Sequence, residues 1–515
     1  MVNKTSEVGK FEGTVGGETG RLVERQDFIH IAILVTIALV IGAYLIATTV
    51  LISKDGTLYI ECAKQIVNNP VEAVRSMPVC PGYPFLIYLM HKMTGLFNNT
   101  ESIQGWIISA QAVSLLSKVI ASVMLYFVGS YFAGRKAAFW GVLILSILPD
   151  SAEYGSDALT EWPHIMFLAT GFLLLLLGAQ YRKGWMFGLA GIAAGLGYLV
   201  RSEGCQLVLY GGVWLLFNLI RPEGKMKRTK AVRALILLAA GFAVVAAPYM
   251  KLKGCVFPKQ NLFQLPAMLS VNDNTDSVGG TNMCVAGIYT SKTMGDKTLT
   301  KNICETLMYY FVPGLLIGCW YYFRKQSKTL EQAFFAAAFI ILNIVMLSWQ
   351  VSCRHFLSRR HTLVLVAFTI FYIPVGLHII ASWLSRRTSK SDLTIEENIR
   401  RWFFILLIVG MAICLPKLFR LTGTQKYSYR DASMWLAKNT APTDLIAVQD
   451  KRITFYAQRE GLEYSEKIPE QADYIVKIIK SADEKPEIGK NTEEKYSTWV
   501  DKKENSKLVI YKVIR

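Results

Sequence analysis

The chain is divided into apolar blocks, each about as long as a helix that crosses a membrane. The first block, residues 29–52, contains no Asp, Glu, Lys or Arg. An α-helix needs about 20 apolar residues to cross the hydrocarbon of a bilayer. The 515-residue chain is 52% hydrophobic, and its mean hydropathy of +0.32 is too high for an ordinary soluble enzyme. We therefore predict an all-α membrane protein that crosses the bilayer many times.

The distribution of basic residues predicts how the chain is oriented. We predict about eleven spans, at residues 29–52, 106–132, 137–149, 162–180, 185–200, 205–220, 231–250, 306–323, 331–350, 362–382 and 402–418. Alternate connections contain the basic sequences "GRKAA", "YRKG", "RPEGKMKRTKAVR", "RKQSK" and "SRRTSKSD". Short cytoplasmic loops carry an excess of Lys and Arg, so these connections and the N-terminus are predicted to be cytoplasmic and the C-terminus extracytoplasmic.

Three regions follow from this pattern. Residues 1–28 are predicted to be a cytoplasmic N-terminal segment. Residues 29–423 are predicted to form the transmembrane domain, with long outer loops at 53–105 and 251–305. From Thr424 the sequence becomes polar. "DLIAVQ" is predicted to be a strand, and "ADYIVKII" and "KLVIYKVIR" show the alternation typical of strands. Residues 424–515 are therefore predicted to be a small extracytoplasmic α/β domain, either a lid or acceptor-docking element or a passive appendage.

The net charge of +18, from 56 basic and 38 acidic residues, does not indicate nucleic-acid binding. Much of the excess lies in the predicted cytoplasmic loops, where membrane proteins normally carry it. The chain has no nucleic-acid-binding motif and no basic stripe with interleaved aromatic residues. The predicted partner of this charge pattern is the lipid bilayer.

Three acidic residues lie at the outer ends of predicted spans. Asp55 follows the first span, and Asp157 and Glu161 precede the span 162–180. Each could simply cap a helix, because acidic residues favour helix N-termini. Asp157 and Glu161 are four residues apart, so on one helix they would share a face and repel each other. Acidic residues at two separate outer sites are harder to explain as caps alone and are candidates for chemistry.

Basic residues also occur on the predicted outer side. The run 188–204 ends with Arg201 and Glu203, and "CRHFLSRRH" contains Arg359, Arg360 and His361. Such side chains can extend along the bilayer surface to reach lipid head groups. Alternatively, they can bind an anion such as a phosphate. The sequence leaves both interpretations open.

Several stretches, taken in order, resemble the GT-C glycosyltransferases of family 39, the group of protein O-mannosyltransferases and the lipid A aminoarabinose transferase. They are "DGTLYIECAKQI", "PGYPFLIYL", "DALTEWPHIMFLATGFLLLL", "GLAGIAAGLGYLVRSEG" and "SRRHTLVLV". The segment after residue 424 resembles the C-terminal part of bacterial members. The resemblance implies a GT-C fold in the bacterial inner membrane. It also implies inverting transfer of a sugar from a polyprenyl-phosphate donor to an extracytoplasmic lipid, glycan or protein.

The resemblance also implies residue roles. Asp55 matches the catalytic base. Asp157 or Glu161 matches the acid of the following outer loop, and Asp157 is favoured because it lies farther from the apolar run. Candidates for the donor phosphate are Arg201, Arg359, Arg360 and His361, and candidates for positioning substrate are Tyr59, Tyr83 and Glu203. Gly56 follows Asp55 where the eukaryotic O-mannosyltransferases have an Asp-Glu pair, so the acceptor need not be a protein.

No tightly bound cofactor and no metal ligand are predicted, although the resemblance leaves open a divalent cation between carboxylates. A transporter or lipid flippase is the main alternative function. Such proteins usually carry polar residues near the middle of the bilayer, on broken helices, whereas the charges here collect at the outer ends. An inactive scaffold is the third alternative.

Overall fold

The fold is taken from a computed structural model. It describes residues 24–95, 102–221, 226–256, 295–324, 329–354, 357–388, 394–420, 424–465, 467–479, 491–500 and 505–514. Most of the predicted N-terminal segment and residues 257–294 of the predicted second outer loop lie outside these ranges. Residues 96–101 of the first outer loop also lie outside them.

The described chain is mostly helical. Its first eleven helices are α1 (Arg25–Thr48), α2 (Lys54–Asn68), α3 (Pro70–Ser76), α4 (Gly82–Gly95), α5 (Ile103–Ala133), α6 (Arg135–Ile147), α7 (Pro149–Tyr154), α8 (Glu161–Tyr181), α9 (Gly184–Val200), α10 (Gln206–Ile220) and α11 (Arg228–Lys253). They are followed by α12 (Gly295–Thr306), α13 (Val312–Arg324), α14 (Leu330–Arg354), α15 (Arg359–Thr369), α16 (Tyr372–Arg387), α17 (Ile395–Leu418), α18 (Thr424–Asn439) and α19 (Arg452–Ala457). A short 3-10 helix, Ser202–Cys205, connects α9 to α10.

Within the described ranges, seven helices are long and apolar enough to cross a membrane. They are α1, α5, α8, α10 with its preceding 3-10 helix, α11, α14 and α17. The pair α15 and α16 would make an eighth span. The other predicted spans correspond to the shorter helices α6, α9 and α13. The prediction of an integral, multi-pass helical membrane protein is therefore confirmed.

The predicted span 362–382 is not one straight helix. α15 and α16 meet at an angle of 65°, and the residues at the break, Ile370 and Phe371, are buried. Pro374 lies four residues after Ile370. Its ring removes the N–H that would bond to the Ile370 carbonyl and clashes with that carbonyl, which accounts for the bend.

The chain divides into two compact units. Of the described residues, those between 127 and 141 and between 170 and 407 form one unit, and those between 24 and 126, 142 and 169, and 408 and 514 form the other. We call them the 170–407 unit and the terminal unit.

The 170–407 unit has a close helix pair where the sequence is rich in small residues. A Cβ atom at Gly191 of α9 would lie 2.2 Å from the Leu238 carbonyl oxygen of α11. The two backbones therefore touch, as the small residues of this run predict. Tyr198, near the end of α9, packs its ring against Phe242 and Tyr249 of α11.

The terminal unit includes a five-stranded mixed sheet. Its strands are β1 (Leu445–Val448), β2 (Glu460–Glu463), β3 (Tyr474–Ile479), β4 (Thr492–Trp499) and β5 (Lys507–Val513), in the order β2-β1-β3-β5-β4. β1 is parallel to β2 and β3, whereas β5 is antiparallel to β3 and β4. The three strands predicted after Thr424 are confirmed as β1, β3 and β5. β2 and β4 are additional.

Candidate active site

Asp55 lies in the first turn of α2, and its side chain is half-buried. The residue that caps this helix is Ser53, whose hydroxyl accepts a hydrogen bond from the Gly56 N–H at 3.2 Å. Asp55 is therefore not needed as the N-cap, which removes the simplest structural explanation for a carboxylate at this position. The apolar residues of α2 are buried, and Ile60 and Ala63 are fully covered.

Asp157 is bound directly to the residues that begin α2. Both carboxylate oxygens accept from the Ser53 N–H at 3.1 Å, and Oδ1 also accepts from the Ala158 N–H at 2.7 Å. The Ser53 hydroxyl donates to the Ala158 carbonyl at 3.3 Å. We call this set of bonds the aspartate tether. It fixes the turn that carries Asp55 to the loop that carries Asp157.

Gly56 allows the two segments to approach this closely. A Cβ atom at Gly56 would lie 2.8 Å from the Ala158 Cβ and 3.0 Å from its carbonyl oxygen. No ordinary side chain fits at that separation. The glycine after Asp55 is thus part of the geometry of the aspartate tether.

The loop that carries Asp157 is itself held by α5. The Gln111 side-chain amide donates to the Ser156 carbonyl at 3.1 Å, and the Ser114 hydroxyl donates to the Leu159 carbonyl at 3.1 Å. These residues are buried, where a satisfied hydrogen bond is strongly preferred to an unmade one. Buried side chains of α5 therefore hold the loop that carries Asp157 in place.

Asp157 and Glu161 do not lie on one helix, so they do not share a helix face. α8 begins at Glu161, and residues 155–160 before it form a loop. Glu161 is buried at the start of the helix, whereas Asp157 is half-buried. Burial raises the pKa of Asp157 to about 6, although its hydrogen bonds from Ser53 and Ala158 and the charge of Lys426 act in the opposite direction.

The C-terminal segment contacts the residues that precede Asp55. The Tyr456 hydroxyl of α19 accepts from the Ile52 N–H at 3.0 Å. Lys54 lies 3.8 Å from Asp450, and Leu51 is part of the hydrophobic core formed by α18 and the sheet. The sequence gave no sign of these contacts, because they join residues about 400 positions apart.

Tyr59 and Tyr83 are brought together, with their rings edge to face and 5.1 Å apart. Tyr83 is fully buried, and its hydroxyl bonds to the Ala110 carbonyl at 3.0 Å and the Ser114 hydroxyl at 2.9 Å. That hydroxyl is thus occupied by α5. Tyr59 is half-buried, and its role in positioning substrate stays a prediction.

The basic candidates all belong to the 170–407 unit. Arg201 follows the last residue of α9 in an extended conformation, and its guanidinium lies 3.5 Å from the Glu203 carboxylate. His361 lies within electrostatic reach of Arg201, Glu203 and Arg360. Residues far apart in sequence are therefore close together here, as a shared anion site requires.

The second arginine of this unit is paired in a similar way. The Arg359 Nε atom lies 3.8 Å from the Glu305 carboxylate, and both side chains are about one-third exposed, at 37% and 30%. We call Arg201, Glu203, Arg359, Arg360 and His361 the basic group. Exposed or partly exposed ion pairs of this length are weak, and binding of an anion by these arginines stays a prediction.

No metal centre is evident in the described ranges, where no group of three or more His, Cys, Asp or Glu side chains could hold an ion. The Asp157 oxygens accept backbone N–H groups. The divalent cation that the resemblance left open stays a prediction.

Comparison with solved structures identifies the fold. ArnT from Cupriavidus metallidurans bound to undecaprenyl phosphate aligns with a TM-score of 0.58 and 15% identity, over 95% of this chain and 98% of ArnT. The chain has the GT-C glycosyltransferase fold. The apo oligosaccharyltransferase of Archaeoglobus fulgidus also shares this GT-C fold, with a TM-score of 0.59 and 12% identity, over 88% of this chain and 69% of that protein.

Sequence comparison agrees with the GT-C fold. Residues 78–249 match the model of a family described as dolichyl-phosphate-mannose-protein mannosyltransferase. A comparison with curated proteins gives no match. The Archaeoglobus fulgidus protein, AglB, has also been solved with an inhibitory peptide and a dolichol-phosphate. That structure aligns with a TM-score of 0.59 and 12% identity, over 88% of this chain and 69% of AglB.

Proposed function

We propose that this protein is a membrane glycosyltransferase that moves a sugar from a polyprenyl-phosphate donor to an extracytoplasmic acceptor. The observation that carries the proposal is the aspartate tether, which holds the half-buried Asp55 in a fixed turn of a GT-C fold. ArnT and AglB have been solved with undecaprenyl phosphate and with dolichol-phosphate, which supports a lipid-linked donor. The orientation predicted from the basic loops would place the reaction on the outer face of a bacterial inner membrane.

The proposed reaction needs a base and a stabilised leaving group. The hydroxyl oxygen of the acceptor attacks the anomeric carbon, and its proton passes to the Asp55 carboxylate. The bond between the anomeric carbon and the phosphate oxygen breaks, and the lipid phosphate leaves with the electron pair. Attack opposite to the phosphate inverts the anomeric carbon. Because a phosphate leaves readily, the reaction requires a positioned base more than a strong acid.

Asp157 is proposed to position Asp55 through the aspartate tether. Its two oxygens are occupied by the Ser53 and Ala158 N–H groups, so its carboxylate is poorly placed to take a proton from an acceptor. Glu161 is buried at the start of α8 and remains a candidate for contact with the sugar or the acceptor.

The basic group is proposed to bind the donor phosphate. Arg201, Arg359 and Arg360 are permanently charged, and a guanidinium fits two phosphate oxygens at once. Positive charge near the leaving oxygen stabilises the transition state more than the ground state. The carboxylates of Glu203 and Glu305 would keep the arginines in place until the phosphate displaces them. Glu203 and Tyr59 are retained as candidates for positioning the sugar.

The transporter alternative receives little support from the bent helix pair α15 and α16. Transporters use broken helices to expose backbone and polar groups to a substrate. Here the break falls at Ile370 and Phe371, which are apolar and buried. Uptake of a substrate into liposomes without any lipid-linked sugar would nevertheless favour a transporter.

The test is a transfer assay with purified protein in liposomes. A labelled polyprenyl-phosphate sugar and an envelope extract should give labelled acceptor. Asp55→Asn should reduce transfer by about a hundredfold or more, because general-base catalysis contributes about 10²–10⁴-fold. Glu72→Gln is the matched control, since Glu72 is an exposed acid in the same outer loop, 59% exposed and paired only weakly with Arg75. Full activity of Asp55→Asn in a folded protein would refute the base assignment.

A further inference from the structure

The link between α1 and α2, residues 49–53, is not helical. It leads directly into the turn that carries Asp55, so its position affects where that carboxylate lies. Because the link has no regular structure of its own, other parts of the chain must cover it and satisfy its backbone groups. Ser53 is held by the aspartate tether. Leu51 and Ile52 are contacted by the C-terminal segment, the described residues from 424 to 514.

Leu51 is packed into a hydrophobic core of the C-terminal segment. Its side chain is 1% exposed, and it belongs to a cluster that contains Leu436 of α18, Ile446 of β1 and Ile510 of β5. Such a core is close-packed, so its members keep nearly fixed distances from one another. Leu51 follows the first span in sequence, but by its packing it is part of the C-terminal segment.

Tyr456 of α19 fixes the backbone of the next residue. Ile52 is fully buried, and its N–H donates to the Tyr456 hydroxyl at 3.0 Å. A buried N–H that loses its partner is costly, so this bond is strongly favoured. The tyrosine is itself held, because the Arg430 guanidinium lies 4.7 Å from the centre of its ring. The hydrogen bond therefore ties the backbone three residues before Asp55 to α19.

The first residue of α2 also contacts the C-terminal segment. The Lys54 ammonium lies 3.8 Å from Asp450 and 3.9 Å from Glu463. Asp450 is buried and accepts two hydrogen bonds from Arg452, at 2.7 and 3.0 Å. The Lys54 side chain is 55% exposed, so its ion pairs contribute little to stability. Three of the four residues immediately before Asp55 nevertheless contact the C-terminal segment.

We propose that the C-terminal segment positions Asp55, with Leu51 and Tyr456 as the positioning residues. The proposal rests on the proposed function, in which Asp55 is the base. The sequence left open whether this segment is a lid or acceptor-docking element or a passive appendage. A passive appendage need not share a buried core with the turn of the base, and a lid has to separate from the site that it covers. The C-terminal segment instead supports the base together with the aspartate tether.

The first test is Leu51→Ala in the full-length protein, with the transfer assay in liposomes described above. A displacement of about 1 Å can lower a rate by about a hundredfold, so kcat should fall by about tenfold or more. The KM for the donor should change by less than about twofold, because the candidates for binding its phosphate belong to the 170–407 unit. Hydrogen exchange of the Ser53 and Gly56 amides should become about tenfold faster.

The matched control is Ile475→Ala, which removes the same number of carbon atoms as Leu51→Ala. Ile475 is buried in a core with Val509, on the other face of the sheet. Among the described residues, that core includes none from the link. Its kcat and its exchange of the Ser53 and Gly56 amides should therefore match those of the wild type. Equal effects of the two variants would mean that Leu51→Ala acts through a general loss of stability, and would overturn the proposal.

Tyr456→Phe is the milder variant, and it decides the question if Leu51→Ala does not fold, because it removes a single hydroxyl. Its kcat should fall by about three- to tenfold, since the Ile52 N–H loses its acceptor. The donor KM should again stay close to that of the wild type. A wild-type kcat in Tyr456→Phe, or in a folded Leu51→Ala protein, would overturn the proposal.

The exchange measurement does not depend on transfer. If the wild type transfers no sugar, the proposed function fails, and amide exchange still decides whether the C-terminal segment holds the turn. Faster exchange of the Ser53 and Gly56 amides in Leu51→Ala than in Ile475→Ala would support that role. Equal exchange in the two variants would overturn it.

Discussion

The aspartate tether and the basic group hold their charged residues in different ways. Asp157 is fixed by backbone N–H groups at 2.7–3.1 Å, in a loop that buried side chains of α5 support. Arg201 and Arg359 are held by side-chain ion pairs of 3.5 and 3.8 Å that water reaches. The tether is therefore the more rigid of the two. This difference suits the proposed base, which must be placed accurately, and the proposed phosphate site, which must bind and release its ligand.

The substitution Gly56→Ala tests the rigidity of the aspartate tether and should have the largest effect. The added Cβ would meet Ala158 at 2.8 Å, so the tether must shift. Overpacking of this kind destabilises a protein by about 1–3 kcal/mol. Gly212→Ala, on α10, is the control, because nothing lies within 4 Å of its Cβ and alanine is the better helix former. The free energy of unfolding in detergent should fall for Gly56→Ala and rise slightly for Gly212→Ala. Equal stability of the two variants would mean that the contact between Gly56 and Ala158 is not tight.

The second prediction concerns pH and compares the wild type with Asp157→Asn. The pKa of Asp157 is raised to about 6, so the folded state binds its proton more tightly than the unfolded state does. The resulting stabilisation is complete below the unfolded pKa near 3.8 and is lost as the pH rises through about 6. Relative to the Asn variant, the wild type should lose about 1–2 kcal/mol across this window, after allowance for partial exposure. A constant difference between pH 4 and 7 would contradict the prediction.

A third prediction asks whether the C-terminal segment helps to fix the turn before Asp55. Tyr456→Phe removes the acceptor of the Ile52 N–H. Hydrogen exchange of the Ile52 amide should become about three- to tenfold faster, because the amide loses the stabilisation of this hydrogen bond. Tyr427→Phe, at an exposed position, should leave exchange at Ile52 unchanged. Unchanged exchange in Tyr456→Phe would show that the fold holds this residue without the tyrosine.

The smallest expected effect belongs to the basic group. Glu305→Gln removes the partner of Arg359, but the pair is 3.8 Å long and partly exposed. Such pairs contribute roughly 0–1 kcal/mol, so the free energy of unfolding should change by less than about 0.5 kcal/mol. A loss of several kcal/mol would mean that these ion pairs are as rigid as the tether, and the contrast between the two regions would fail.

The helices and their order could be predicted from sequence, because long apolar blocks have few alternatives in a membrane. The strands β3 and β5 could also be predicted from their alternation, whereas β2 has only four residues, which include Gly461 and two glutamates, and so gave no such signal. The bend before Pro374 was missed, although the proline itself indicates it.

The candidate site was only partly predictable. Asp55 and Asp157 stood out as carboxylates at the ends of spans, but their connection depends on Ser53 backbone bonds, which side-chain identity does not reveal. Tyr456 was missed because a tyrosine on a short helix carries no local signal.

The position of Leu51 has a consequence for how the protein is made. This residue follows the first span, yet it packs into a core with Leu436, Ile446 and Leu508. At about 5–20 residues per second, the ribosome needs roughly 20–90 s to synthesise the intervening chain. During that interval the turn that carries Asp55 has been translated but lacks the core against which Leu51 packs. The core around Leu51 is therefore complete only after β5 has emerged, and a chain that lacks β5 would leave Leu51 without part of its packing.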